Sequence, residues 1–187
     1  MSPLTEFLGR GHQSDTDPIQ TKEVERIYPY TLSHHVSNKM DWIEAAKQIF
    51  KLAKPKHFTN YNHCEECAEH DQTLIQADVD TISLEELGNP GWDPICFCHD
   101  QGKKYYMPAL IRLSLETVHH EGYFEQFLFH LESNGEQNSL YRSCSAAQRR
   151  FIAAFVEHMI EHYPHEIELN LCADRVLRVY EIWSGDR

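Results

Sequence analysis

The densest group of chemically reactive side chains in the sequence is the octapeptide HCEECAEH, residues 63–70. It contains a Cys-x-x-Cys pair, Cys64 and Cys67, which His63 precedes and His70 follows. Thiolate sulfur and imidazole nitrogen are the ligands that zinc prefers in structural sites. The octapeptide is therefore a candidate metal site for zinc, with these four residues as its candidate ligands.

On a helix, the four candidate ligands divide between two stripes. His63, Cys67 and His70 follow i, i+4, i+7 spacing and share one face, whereas Cys64 lies beside Ala68 on the next face. One ion cannot face both stripes, so a closed site needs at least one ligand from elsewhere. The segment ICFCHD, residues 95–100, would be a source, although its spacing from the octapeptide matches no standard zinc motif.

Two other interpretations of the cysteine pair stay open. Free cysteine is among the most buried residue types, so Cys64, Cys67, Ala68 and Ile75 could form a helix face that packs into the core. Redox chemistry ranks last, because a thioredoxin-type pair begins a helix that follows a strand, and the preceding KPKHFTNYN is not strand-like. Packing in the core is the favoured interpretation of the three.

A second pattern with catalytic potential is HMIEH, residues 158–162. It satisfies H-x-x-E-H, in which two histidines hold zinc and the adjacent glutamate acts as general base. Here His158 and His162 would be the ligands and Glu161 the base. The alternative is a partly solvated helix flank, which the many histidines and glutamates of the chain favour.

An aromatic segment, GWDPICF followed by KKYYM, combines Trp92, Phe97, Tyr105 and Tyr106 near a loop rich in Pro and Gly. Such places often form ligand or partner surfaces, so these residues are candidates for one. Packing in the core is the simpler interpretation. The sequence has no G-x-S-x-G elbow, Walker-type loop or G-x-G-x-x-G motif.

Composition limits the partners. The chain has 187 residues, with 17 Lys and Arg against 29 Asp and Glu, a net charge of −12. Nucleic acid is not expected, because phosphate binding draws its affinity from Lys and Arg, whereas an acidic surface favours a basic protein partner. No apolar run could span a membrane and the N-terminus does not resemble a secretory signal, so we expect a cytoplasmic location with free thiols.

Periodicity predicts a mainly helical (α+β) single domain of five or six helices around one small β-hairpin. Helices are expected from Met40 to Ala53, after Thr59 or Asn60, in TISLEELG, from Pro108, and in YFEQFLFHLE, SAAQRRFIAAFVEHMIEHY and CADRVLRVYEIW. The hairpin is expected from ICFC and KKYYM, which flank the turn-rich HDQG. Residues 1–38 are expected to be a loose arm, partly docked, and residues 39–187 the globular domain.

The segments HCEECAEHDQTL, LGNPGWDPICF and KKYYMPALIRLSL together resemble an uncharacterised family of small bacterial conserved proteins. Members share a Cys-x-x-Cys helix, a Trp-containing loop and a Tyr-Tyr-x-Pro-Ala segment. The resemblance covers roughly residues 40–165 and implies a bacterial cytosolic protein. It brings no established activity, so no catalytic residue follows from it.

The leading hypothesis is a non-enzymatic binding or accessory protein that acts through a protein partner, with zinc as the candidate structural metal. Its rival is a metal-dependent hydrolase that uses either the HMIEH helix or the Cys/His octapeptide. A third hypothesis, a toxin-neutralising immunity protein, rests on size and acidity alone.

Overall fold

The computed structural model describes residues 40–120 and 122–185, without the side chain of residue 136, and these residues are helical with no strand among them. Ten α-helices follow one another along the described chain. They are α1 Trp42–Ile49, α2 Glu65–Gln76, α3 Leu84–Leu87, α4 Pro94–Phe97, α5 Asp100–Glu116, α6 Tyr123–Glu132, α7 Ser139–Ser143, α8 Ala146–His162, α9 Pro164–Leu169 and α10 Ala173–Ser184. Short 3-10 helices cover Pro90–Trp92 and Gly135–Gln137.

The predicted α+β class, with a β-hairpin and five or six helices, is wrong. ICFC lies in and just after α4, and HDQGKKYYM lies in and just before α5. The error has a physical cause: α5 is surrounded by the rest of the fold, and ten of its 17 residues are buried. A helix that is buried on most sides has apolar residues on every face. A short apolar run from such a helix has no helical periodicity, and the run looks the same as a buried strand.

The sequence suggested that a helix begins at Pro108, but Pro108 lies inside α5. A proline in a helix interior removes one backbone hydrogen bond and ordinarily costs about 3 kcal/mol. Pro108 itself and its neighbours Met107 and Ala109 are all buried. Burial of this apolar segment offsets the lost hydrogen bond.

Helix α2 begins later than expected, at Glu65 instead of just after Thr59 or Asn60, and Cys64 is its N-cap. Side chains from elsewhere satisfy the carbonyl groups at its other end. The Tyr106 hydroxyl on α5 donates to the carbonyl oxygens of Leu74, at 2.6 Å, and Ala77, at 3.1 Å. The Lys54 ammonium donates to the carbonyl oxygens of Ile75 and Ala77. Helix α2 is thereby fixed at its C-terminal end without a glycine cap.

Most of the other predicted helices are confirmed. Helix α1 is shorter than expected and has Asp41 as its N-cap, α3 has the Ser83 capping box, and α8 has Ser145 as its cap. Helix α5 packs against α1, α6 and α7, while α10 packs against α6 and α8, and α2 against α4. The core lies between these helices.

Residues Met40–Arg187 cluster into one compact unit. The expected N-terminal arm, residues 1–38, lies outside the described residues. Within the described part of the chain, no helix combines the length and apolar character needed to cross a membrane.

We predict that Tyr106→Phe lowers the free energy of unfolding by about 1–3 kcal/mol, because two carbonyl groups at the end of α2 lose a buried donor. Urea denaturation followed by circular dichroism measures the change. The matched control is Tyr61→Phe, since Tyr61 is 39% exposed, and it should change stability by less than about 0.5 kcal/mol. Equal effects of the two substitutions would contradict the capping role of Tyr106.

Candidate cysteine-histidine site

A buried carboxylate on α2 positions the segment that leads into the octapeptide. Asp71 Oδ1 accepts the backbone N–H groups of Phe58, at 2.6 Å, and Thr59, at 3.0 Å, and Oδ2 lies 2.7 Å from His57 Nδ1. The Thr59 hydroxyl donates to the carbonyl oxygen of Cys67, at 2.7 Å. Residues 57–59 are thereby fixed against α2, only a few residues before His63.

Hydrogen bonds also decide how Asp71 ionises. Desolvation alone would raise its pKa, but hydrogen bonds from His57 and from the backbone of Thr59 and Phe58 outweigh it and leave the pKa below the ordinary value. The carboxylate is therefore the stable form of Asp71 near neutral pH.

The cysteine pair lies at the N-terminus of α2. Cys64 is exposed and, as the N-cap, its sulfur accepts the backbone N–H of Cys67 at 3.4 Å. Cys67 is buried beneath it, and the two sulfur atoms lie 3.2 Å apart. The sequence had placed the two cysteines on separate helical stripes, but Cys64 is a cap with extended backbone and turns its sulfur toward Cys67.

The two thiols differ in acidity. The pKa of Cys64 is lowered, first by the backbone N–H of Cys67 and then by the Cys67 thiol and by His63. The pKa of Cys67 is raised, because its proton is held by the Cys64 sulfur and because burial disfavours its charged form. A helix N-terminus also stabilises a thiolate, which is a further reason for the lowered pKa of Cys64. Cys64 is the sulfur that ionises first.

His63 completes the group. Its Nδ1 lies 3.7 Å from Cys67 Sγ, and donor atoms of His63, Cys64 and Cys67 all lie within 4.8 Å of one another. Both His63 and Cys64 are exposed, so the group opens onto solvent. The arrangement can offer three ligands to a metal ion, or it can present one exposed thiolate above a second thiol.

His70 does not belong to this group. It is 1% exposed, and its ring stacks on Phe97, with a centroid distance of 4.2 Å, and lies near Trp92, at 4.7 Å. Its Nε2 is 3.8 Å from the Glu66 carboxylate, beyond hydrogen-bond distance. His70 thus joins α2 to the loop that carries Trp92.

The remaining sequence candidates lie elsewhere. Tyr105 and Tyr106 are buried in the core and do not form a surface, whereas Trp92 is 44% exposed. The His158 and His162 rings contact each other at a centroid distance of 4.1 Å, and His162 Nδ1 donates to the backbone carbonyl of His158. Among the described residues, neither histidine belongs to a group of three potential ligands.

A second group of potential ligands was not predicted from the sequence. Asp93, Cys96 and His130 bring donor atoms within 4.8 Å of one another at the other side of α4. Cys96 was considered only within ICFCHD, as a source of a further ligand for the octapeptide; Asp93 was not among the candidates, and His130 lies on α6, far along the chain. The one local signal for this group was the dipeptide Asp93-Pro94, because Asp before Pro is typical of a helix N-cap, and a capping carboxylate is held in place by the helix N–H groups.

In the described residues the fold is helical and carries two groups of potential ligands: His63, Cys64 and Cys67, which open onto solvent, and Asp93, Cys96 and His130, of which only Cys96 is exposed. Residues 39–186 match the family of unknown function DUF6714, and the chain belongs to that family. No curated protein and no solved structure matches the chain.

We predict that Asp71→Ala lowers the free energy of unfolding by about 3 kcal/mol or more, because two buried N–H groups lose their acceptor. Urea denaturation at pH 7 measures this loss. The control is Asp80→Ala, whose carboxylate is 71% exposed and pairs with Lys47, and it should cost less than about 1 kcal/mol.

The same carboxylate predicts a pH dependence. Because the folded pKa of Asp71 is lowered, its contribution is present above the unfolded pKa of about 3.9 and is lost as pH falls through the lower folded value. The unmodified protein should lose this contribution in acid, and Asp71→Ala should lack that part of the loss. Parallel pH profiles for the two proteins would exclude this role for Asp71.

Proposed function

We propose that this protein is a dithiol accessory protein that exchanges disulfides with a protein partner through Cys64 and Cys67. One observation carries the proposal: an exposed thiol caps a helix directly above a buried thiol, with the two sulfurs 3.2 Å apart. In the sequence, redox chemistry ranked last because no strand-like segment precedes the helix that carries the pair. The pair does begin a helix, and the helix N-terminus is the part of that arrangement that lowers a thiol pKa.

The exchange proceeds in two balanced steps. The Cys64 thiolate attacks one sulfur of the partner's disulfide, that S–S bond breaks, and the second partner sulfur leaves as a thiolate. Cys67 then loses its proton and attacks Cys64 Sγ in the mixed disulfide, which forms the Cys64–Cys67 bond and releases the first partner sulfur. In this direction two electrons pass to the partner, and a cellular dithiol or glutathione must reduce the pair again. The reverse of the same two steps passes the disulfide from the pair to a dithiol of the partner, and stabilisation of the Cys64 thiolate favours that direction.

His63 has a defined place in the second step. Its Nδ1 lies 3.7 Å from the Sγ of the buried Cys67, and it can take the Cys67 proton. Cys67 needs such a base because its pKa is raised.

Charge supports the kind of partner. Glu65, Glu66 and Glu69 are exposed around the pair, and the chain carries a net charge of −12. A partner with a basic surface around its disulfide would be steered to this end of α2. The setting that we propose is a bacterial cytoplasm, where the six free cysteines would stay reduced.

A second candidate function, zinc binding at the same residues, is favoured by His63. Tetrahedral zinc with Zn–S of 2.3 Å and Zn–N near 2.0 Å separates its ligands by about 3.5–3.8 Å. The His63 Nδ1 to Cys67 Sγ distance of 3.7 Å fits this geometry, and the two sulfurs would have to move apart from 3.2 Å. A partner protein or water would supply the fourth ligand. The hydrolase hypothesis on His158 and His162 gains no comparable support.

We expect Cys64 to react with iodoacetamide at lower pH than Cys96, the other exposed cysteine. Cys64 should reach half of its maximal rate below the free-cysteine pKa of about 8.5. Cys96 should need a far more alkaline pH, since desolvation raises its pKa to about 11. Peptide mass spectrometry after quenching at each pH, in the presence of a chelator, measures both in one sample; coincident profiles would remove the basis for a reactive Cys64.

In glutathione redox buffers we expect one intramolecular disulfide, between Cys64 and Cys67. Cys67→Ser should instead trap glutathione on Cys64, because the resolving thiol is gone, while Cys96→Ser should behave like the unmodified protein. Intact mass and peptide mapping distinguish these species. Failure of Cys67→Ser to trap glutathione would reject the exchange, and one zinc per chain with Cys64 and Cys67 protected from alkylation until a chelator is added would favour the second candidate instead.

A further inference from the structure

A cavity of about 350 Å³ opens between the loop after α3 and helix α6, away from the Cys64–Cys67 pair. Apolar side chains and glycines form much of its wall, while Glu125 and Arg175 stand at the same cavity. Arg175 pairs with Glu125, at 2.9 Å, and with Glu132, at 3.1 Å. The charge of Arg175 is therefore already balanced, and among the described residues that line the cavity no other cation is available to an anionic ligand.

Three side chains of types that can bind a metal ion, Asp93, Cys96 and His130, lie together, and two of them line this cavity. Asp93 and His130 are both buried, and His130 Nε2 lies 2.8 Å from Asp93 Oδ2. The thiol of the exposed Cys96 is close enough for all three donor atoms to lie within 4.8 Å of one another. Asp93 and Cys96 both line the cavity.

The carboxylate of Asp93 is held in place by its surroundings. Its Oδ1 accepts the backbone N–H of Ile95, at 2.8 Å, as the cap of α4. Its Oδ2 also accepts from Gln126 Nε2, at 2.6 Å, and the same amide nitrogen donates to the carbonyl oxygen of Leu87. Fixed outer partners of this kind orient first-shell ligands in metal sites.

An unsatisfied hydroxyl lies at the same cavity. Tyr123 lines it, is 3% exposed, and its hydroxyl has no hydrogen-bond partner among the described residues. Burial raises the pKa of Tyr123, so its hydroxyl keeps its proton near neutral pH and can donate a hydrogen bond. A buried hydroxyl without a partner is destabilising, and a bound ligand that accepts a hydrogen bond from it would remove that cost.

We propose that Asp93, Cys96 and His130 bind a Zn²⁺-class transition-metal ion, with an open coordination position facing the cavity that Tyr123 also lines. Carboxylate, thiolate and imidazole are borderline ligands that suit zinc and cobalt better than magnesium or calcium. Two anionic ligands balance the double charge of the ion, which matters because an unbalanced charge in a largely buried site is costly. Three protein ligands with one open position are the composition of catalytic zinc sites.

The same residues do not form an activated nucleophile. Desolvation raises the pKa of Cys96 to about 11, and the Asp93 charge adds to the rise, so the thiol stays protonated near neutral pH. His130 directs Nε2 at Asp93. A metal ion would replace the proton between His130 and Asp93 and would itself deprotonate Cys96, because coordinating thiols lose their proton.

The test uses the full chain with Cys64→Ser and Cys67→Ser, so that only the second group can bind; serine also serves well as an N-cap in place of Cys64. Titration with Co²⁺ should show one equivalent bound, with a thiolate-to-cobalt charge-transfer band and the visible absorption of a four-coordinate ion. Adding Cys96→Ser should abolish the charge-transfer band and weaken binding more than about 100-fold, since even outer-shell changes cost 10–100-fold. Binding without that band, or unchanged binding after Cys96→Ser, would overturn the proposal.

His130→Gln should likewise abolish binding, with His119→Gln as its matched control. His119 also lies beside a carboxylate, with Nδ1 2.8 Å from Glu166 Oε1, but it belongs to no group of three ligands in the described residues. Circular dichroism checks that each variant is folded. Because His130 is buried and Cys96 is exposed, the Cys96 variant decides the outcome if His130→Gln does not fold.

Tyr123→Phe separates the role of the hydroxyl from that of the fold. Removal of the unsatisfied hydroxyl should raise the Tm of the metal-free chain, and it should weaken Co²⁺ binding about 10–100-fold through loss of an outer-shell partner. A rise in Tm with unchanged affinity would exclude Tyr123 from the metal site.

Discussion

The buried carboxylate of Asp71 is the interaction on which the arrangement of both clusters depends. It binds residues 57–59 to α2 through backbone N–H groups, and the carbonyl of Phe58 in turn accepts the N–H of His99 just before α5. One segment without regular structure is thus fixed to α2 on one side and to the start of α5 on the other. Between those two contacts lie α3 and α4, which carry the loop of Trp92 and the ligands Asp93 and Cys96.

Environment gives the same residue type different chemistry in this protein. Cys64 is exposed at a helix N-terminus and is the acidic thiol, whereas Cys96 faces Asp93 and has a pKa raised to about 11. Cys98 and Cys144 are buried, and desolvation raises the pKa of each. Burial, backbone N–H groups and neighbouring carboxylates therefore select which thiols are available for exchange, for metal binding or for packing.

Local signals in the sequence were sufficient for the amphipathic surface helices and failed for the central one. The segments TISLEELG, SAAQRRFIAAFVEHMIEHY and YFEQFLFHLE correctly predicted α3, α8 and α6, because the signals for such helices lie within a few neighbouring residues. Helix α5 is buried on most sides and carries Pro108, so the same signals pointed to a hairpin followed by a new helix. Tyr106 was a candidate for a surface, with packing in the core as the simpler interpretation, and it lies in the core.

The candidate sites also differ in whether local sequence or long-range packing brings their residues together. Cys64, Cys67 and His63 are neighbours in sequence, and their proximity follows from local geometry, although the cap that turns Cys64 toward Cys67 depends on where α2 begins. His70 was separated from them by its packing on Phe97, a contact between distant elements. His130 and Asp93 lie 37 residues apart and meet only because α6 brings His130 against the N-cap residue of α4, which no spacing rule could anticipate.

The position of Cys64 as a helix cap also bears on how readily electrons move through the pair. The helix N-terminus and the N–H of Cys67 stabilise the Cys64 thiolate, which exists only in the reduced form. Whatever stabilises the reduced form of a dithiol raises its reduction potential, and the corresponding disulfide becomes a stronger oxidant. The N–H of Cys67 thus biases the pair toward the dithiol state. Formation of a disulfide would remove the thiolate that accepts this N–H, and it would therefore also loosen the first turn of α2.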